Sequence, residues 1–117
     1  MNQFLVPLVC IGLYAAWRWI HARRIRSTVA RLLAQGATVI DVRSAAEFCR
    51  GHVEHSLNIP LGEIERAPLP ADPSRWLIVC CASGARSAIA ARILRQRGFA
   101  RVINGVSWAN VARCRVA

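Results

Sequence analysis

The sequence predicts an α/β domain, a small and mostly parallel sheet flanked by helices, preceded by one N-terminal transmembrane helix. Three observations predict it. Short β-branched or apolar runs alternate with helical periodicity from residue 25 onward, the pattern of parallel strands joined by crossover helices. Residues 76–81 (WLIVCC) are wholly apolar, as in a strand covered on both faces. Residues 1–17 carry no charged side chain, yet residues 18–35 hold five arginines and no acid.

Composition bounds the rest. The 117 residues amount to one domain, and 55% of them are hydrophobic, which excludes a disordered chain. All 16 cations are arginine, set against six acids, for a net charge of +10. Half of that excess lies in residues 18–35; residues 36–117 hold 11 arginines and all six acids. The organisation read from this layout is a transmembrane anchor over 1–21, a basic amphipathic connecting helix over 22–35 and an α/β domain over 36–117.

Residues 4–20 (FLVPLVCIGLYAAWRWI) are interrupted only by Arg18. As a helix they span about 25 Å, near the lower limit for crossing a bilayer. Trp17 and Trp19 suit the headgroup interface, where Arg18 can snorkel. Only Asn2 and Gln3 precede the run and arginines follow it, the reverse of a cleaved signal peptide. The positive-inside rule puts the arginine side in the cytoplasm, so a single-pass membrane protein with a cytoplasmic domain is expected. A helix lying in the interface or packed on the domain is the alternative. The basic cluster abuts the apolar run and fits anionic lipid. No row of aromatics is interleaved with the other arginines, so no nucleic-acid partner is expected.

Ile25, Val29, Leu32 and Leu33 share one helical face, with Gly36 as terminator. Residues 38–42 (TVIDV) read as a short buried strand. Ser44 can cap a short helix with Glu47 as its capping-box partner, and Gly51 ends that helix. Residues 56–59 suggest a strand stopped by Pro60. Residues 61–75 contain Pro68, Pro70 and Pro73 and read as a surface connection. The apolar strand 76–81 follows. Residues 87–97 read as a helix with Ile89, Ile93 and Leu94 on one side, ended by Gly98. A last strand over 101–103 and a helical turn over 108–113 close the chain.

The chemistry concentrates in residues 79–87 (VCCASGARS). A buried strand ends at Cys81, a loop of small residues follows, and a helix begins near Arg86. Sites in parallel α/β sheets form at the carboxyl ends of strands. Ala82, Ser83, Gly84 and Ala85 are small enough for successive backbone N–H groups to turn inward as an anion-holding nest. The positive pole of the next helix adds to it. A thiol in such a cup has a lowered pKa, because the donors stabilise its thiolate. Arg86 adds a permanent cation with a planar fork for an anionic substrate. Alternation along the strand points Cys80 away from the loop. Asp41, Arg43 and Glu47 read as an ion-pair network holding the loops at this end of the sheet. His52 reads as a hydrogen-bonding turn residue, since a thiolate in this cup needs no base. His21 and His55 have no evident partner. The five cysteines (Cys10, Cys49, Cys80, Cys81, Cys114) show no metal-ligand spacing and are expected as thiols; Cys49 or Cys114 is a candidate to resolve Cys81. No cofactor and no metal are expected.

In order and spacing, Asp41-Val42-Arg43, Glu47-Phe48, Gly51-His52-Val53, Asn58-Ile59-Pro60-Leu61, residues 81–87 (CASGARS) and Gly98-Phe99 resemble the rhodanese family. The resemblance covers about residues 31–111, and the ending NGVSW is similar to that of short single-domain members. It implies a sulfurtransferase. Cys81 takes a sulfane sulfur from a donor anion such as thiosulfate, holds it as a persulfide, and passes it to cyanide or a thiol. The backbone from Ala82 to Ser87 cradles the persulfide. Ala82 stands where many members have an arginine, Ala85 where a polar residue is frequent, and Glu54-His55-Ser56 replaces a common Pro-Gly-Ala. Four residues separate Cys81 from Arg86, one fewer than in phosphatases of this fold, which ranks a phosphatase or arsenate-handling enzyme well below sulfur transfer. A non-catalytic, membrane-tethered docking or sulfur-carrier module is the other alternative. The protein partner is not legible.

Overall fold

The computed structural model describes residues 2–69 and 72–114. Pro70, part of the expected connection, lies outside the described residues. A helix α1 (Leu5–Ala34) leads into strands β1 (Thr38–Asp41), β2 (Leu57–Asn58), β3 (Leu77–Cys81) and β4 (Val102–Ser107). Between and after them lie helices α2 (Ala45–Cys49), α3 (Ala85–Gln96) and α4 (Trp108–Cys114) and a 3-10 turn, Leu61–Glu63. The four strands form one parallel sheet in the order β2-β1-β3-β4, the predicted fold class.

Each face of the sheet has its own core. Ile40, Val79 and Cys81 point to one face, where Ala90, Ala91 and Leu94 of α3 and Ile64 cover them. Val39, Ile78 and Cys80 point to the other, covered by Val29 and Leu32 of α1 and Val111 of α4. Every residue of β3 is buried, as its apolar sequence predicts. The period-2 alternation therefore sends the two adjacent cysteines to opposite faces.

The N-terminal run continues into the basic segment with no linker, as one uninterrupted 30-residue helix, because no Pro or Gly stands between them after Gly12. Other elements differ from expectation. The arginine-rich half of α1 supplies Val29 and Leu32 to the domain core. The other half, from Leu5 to Ile20, is exposed; α1 is long and apolar enough to cross a membrane, with an 18-residue window of mean hydropathy 1.3. In α3 the buried face is Ser87, Ala90, Ala91 and Leu94, while Ile89 is exposed; the alanines let α3 approach the sheet closely. Residues 61–75 are more than a surface connection, since Ile64 is fully buried. Strand β4 runs four residues beyond residue 103. It does so through a bulge: Val79 pairs with Asn104, but Cys80 pairs with Val106. Gly105 is the extra residue, and a Cβ there would lie 2.7 Å from Val111 Cγ2 and 2.8 Å from Ile78 Cγ2.

Candidate active site

The loop at the end of β3 curls back over its own cysteine. Gly84 makes this possible with φ +103, a conformation that L side chains rarely adopt. The Gly84 N–H donates to Cys81 Sγ at 2.9 Å. The Ser87 hydroxyl, from the first turn of α3, lies 3.4 Å from the same sulfur. Cys81 is 1% exposed at the bottom of this cup. Ala82, Ser83 and Ala85 form its exposed rim.

Two opposing effects act on the thiol. Burial pushes the Cys81 pKa up, but hydrogen bonds from the Ser87 side chain and from the backbone of Ser87, Gly84 and Ser83 together outweigh it. The net shift is downward from the ordinary value of 9.0. Cys80 has no such donors. Burial, with Asp41 nearby, raises its thiol to about 12. Two neighbours of the same chemistry are thus set apart by which face of the strand they occupy.

The loop is braced from β4 by a residue that sequence reasoning gave no role. Asn104 Nδ2 donates to the Gly84 carbonyl at 3.1 Å. Its Oδ1 accepts from Ser87 Oγ at 2.6 Å and from the Val106 N–H at 2.9 Å. Val106 takes φ +73, rare for a β-branched residue. A Cβ on Gly84 would come within 2.9 Å of its Cγ1. The signal for this brace was the Asn-Gly pair inside an apolar run, since a glycine in a strand interior marks a bulge or a close backbone approach.

Arg86, at the start of α3, is anchored from α2. Its fork is taken by Glu47 in a bidentate pair, Nη1 to Oε1 at 2.7 Å and Nη2 to Oε2 at 3.0 Å. Two of the five N–H donors of the guanidinium are thus engaged, and the side chain remains 38% exposed. The same pair, with the Ser44 backbone, lowers the Glu47 carboxyl to about 2. Glu47 also closes the capping box of α2 with Ser44. One carboxylate thereby fixes both the start of α2 and the start of α3.

Asp41 and Arg43 form a separate, buried pair. Arg43 Nε donates to Asp41 Oδ1 at 2.9 Å and Nη2 to Oδ2 at 2.7 Å. Arg43 Nη2 also reaches the Gly51 carbonyl at 2.7 Å, and its guanidinium lies over the Trp108 ring at 4.9 Å. The expected single network is thus two pairs, because Glu47 turns across to α3. Asn58 Nδ2 donates to the carbonyls of Asp41 and Arg43 at 3.1 and 2.9 Å, pinning β2 to the end of β1.

His52 Nδ1 lies 2.8 Å from the Phe48 carbonyl and its ring stacks on Phe48, a turn residue's geometry. His21 and His55 do have partners: His21 stacks on Trp17, and His55 Nε2 lies 3.6 Å from Glu54 Oε1. Cys114 packs among the side chains on the far face of the sheet, with its thiol directed at the Arg26 carbonyl. It is badly placed to resolve Cys81, which faces α3. Cys49 is exposed at the end of α2. No group of three or more potential metal ligands occurs among the described residues.

This geometry accords with what the chain is similar to. It is 35% identical over 72 residues to the putative sulfur carrier protein YrkF of Bacillus subtilis, covering 62% of this chain and 39% of that one. It is 32% identical over 79 residues to the thiosulfate sulfurtransferase PspE of Escherichia coli, covering 66% and 76%. Several relatives are longer proteins, and the chain spans between 13% and 62% of the length of three that are 35% identical to it. Among solved structures, a rhodanese with anions from E. coli superimposes with a TM-score of 0.61 at 31% identity, over 65% of this chain and 92% of that chain. With residues 26–106 matching the profile of the rhodanese-like domain, the chain belongs to the rhodanese-like domain family.

Proposed function

We propose that the protein is a membrane-tethered rhodanese-type sulfurtransferase with Cys81 as its nucleophile. The thiolate attacks the sulfane sulfur of thiosulfate or a similar donor. A bond forms between Sγ and that sulfur, the bond from sulfane sulfur to sulfonate breaks, and sulfite leaves with the electron pair. Cyanide or an acceptor thiolate then attacks the outer sulfur, and the pair from the breaking S–S bond returns to Sγ. The outer sulfur of the persulfide is anionic, so amides from Ala82 to Ser87 directed into the cup favour it by electrostatics.

The observation that carries this reading is the Gly84 N–H donating at 2.9 Å to a buried sulfur whose pKa is lowered. Donor binding draws on the loop amides, the helix pole and the N–H donors of Arg86 that Glu47 does not engage. The exposed apolar half of α1 supports a single-pass anchor with the domain on the cytoplasmic side. The test is thiocyanate formation from thiosulfate and cyanide by the full chain in detergent, beside Cys81→Ser and Cys80→Ser. Activity is expected to vanish in the first variant and persist in the second. The opposite outcome would move the nucleophile. An inactive wild-type protein that gains no sulfur from thiosulfate would favour the docking module.

A further inference from the structure

The first charged side chain of the sequence, Arg18, lines a cavity. The hollow, about 270 Å³, lies between α1 and the corner where β4 turns into α4. Trp17, Ala22 and Ile25 of α1 and Val106 of β4 give it apolar walls. Its polar lining comes from Arg18, His21, Ser107 and Asn110, and each of these has a donor to spare. Arg18 makes no hydrogen bond or ion pair among the described residues. The Ser107 hydroxyl accepts from the Asn110 N–H at 3.0 Å and keeps its own proton to donate. The Asn110 amide gives one N–H to the Gly105 carbonyl at 3.1 Å and keeps the other. His21 lies flat on Trp17, with ring centroids 5.2 Å apart, and its nitrogens make no hydrogen bond among the described residues. None of the described residues lining the cavity is acidic. Donors that converge on an apolar hollow without a carboxylate make a site for an anion.

The walls and the approach select the anion. A free inorganic ion gains nothing from Trp17, Ile25 and Val106, and losing water against apolar walls costs it. An amphiphile gains from both kinds of lining. The stacked rings of Tyr14, Trp17 and His21 run along α1 from the apolar run into the cavity. Leu13 and Tyr14, one turn before Trp17 and Arg18, are 66% and 60% exposed, so acyl chains have a surface to lie on. Small-molecule pockets begin at about 300 Å³; this one takes a headgroup and leaves the chains outside. A headgroup carrying its own ammonium finds no carboxylate to pair with, so the ligand is net anionic.

We propose that the cavity is a site for the headgroup of one acidic phospholipid, its phosphate held by Arg18 with His21, Ser107 and Asn110 around it. This rests on the anchor reading of α1 and is independent of sulfur transfer. The phosphate touches α1 on one side and β4 and α4 on the other, so it fastens the apolar half of the helix to the domain. Unlike a general attraction of lipid to the arginine collar, the site has one occupant, a fixed volume and a single dominant cation.

The test uses the full chain in an uncharged detergent, titrated with short-chain phosphatidylglycerol and read by native mass spectrometry. One molecule is expected to bind per chain, about tenfold tighter than phosphatidylcholine of the same chain length, as charge-assisted contacts with no opposing carboxylate require. Arg18→Gln removes the cation and Ala22→Leu fills the hollow with every charge in place; each is expected to weaken binding about tenfold. Arg23, whose guanidinium lies over the Trp19 ring at 4.8 Å, stands outside the cavity. Arg23→Gln removes the same charge and is expected to change affinity less than about twofold. Equal losses in the two arginine variants, or no loss in Ala22→Leu, overturn the discrete site. Phosphatidylcholine binding as tightly overturns the charge preference. Inorganic phosphate or glycerol phosphate displacing the lipid at equal concentration overturns the choice of a lipid. A full chain that stays monodisperse in buffer without detergent sinks the anchor reading and this site with it.

Discussion

At the residue scale, two cysteines side by side differ in which donors they meet. Cys81 receives the Gly84 amide and lies 3.4 Å from the Ser87 hydroxyl, whereas Cys80 is sealed among Val29, Ile78 and Val111. The thiolate is the alkylated species, so the rate at Cys81 should rise with pH about a midpoint below 9.0, while Cys80 stays unmodified up to about 12. Mass mapping of iodoacetamide adducts against pH checks this; modification of Cys80 first would sink it. Gly84→Ala forces a side chain into φ +103 against Val106 and should cost about 1–3 kcal/mol. It should also raise the Cys81 midpoint, because the loop amide retreats from the sulfur. Asn104→Ala leaves the Gly84 carbonyl and the Val106 N–H without their partner. A loss of about 2 kcal/mol is expected from such unpaired groups, with turnover falling alongside. Chemical denaturation and thiocyanate assays separate the two effects.

At the scale of elements, Glu47 joins the starts of two helices. Ser44→Ala removes a capping-box partner of α2 and should lower stability by about 1 kcal/mol. The Glu47 carboxyl titrates at about 2 in the folded protein and at 4.5 ordinarily. A depressed carboxylate contributes fully above its ordinary value and loses that contribution as pH falls toward the folded one. The ion pair should therefore help down to about pH 4.5 and be spent near pH 2, a window that Glu47→Gln erases. Comparing denaturation midpoints of the two proteins from pH 7 to pH 2 checks it. The pair is partly exposed, so its effect should shrink with added salt.

At the scale of the molecule, α1 is both a core element and the exposed apolar rod. Leu32 is 3% exposed against the sheet, and Leu32→Ala should cost about 2–3 kcal/mol through lost contact and an unfilled space. Removing residues 1–21 should leave the domain's melting cooperative, since residues 2–21 are all exposed and none belongs to the buried core. Removing residues 1–35 should expose Val39, Ile78 and Cys80 and abolish cooperative melting. Thermal unfolding of the two truncations decides the point, and equal stability would show that α1 is dispensable to the core.

Much of this protein was legible in residue order alone. Period-2 and period-3.6 patterns placed strands and helices, and the run of adjacent apolar residues in β3 marked a strand buried on both faces. Small residues after Cys81 marked a curled loop, because only small side chains leave room for inward amides. What chain order could not decide was pairing across distance. Glu47 lies 39 residues from Arg86 and 20 separate Gly84 from Asn104, so neither contact leaves a local period to read. The bulge at Gly105, the partner of each charge and the end of the sheet that faces the apolar helix are set only when strands stack in register and α1 packs against them. These are properties of the sheet's geometry, and no single segment contains them.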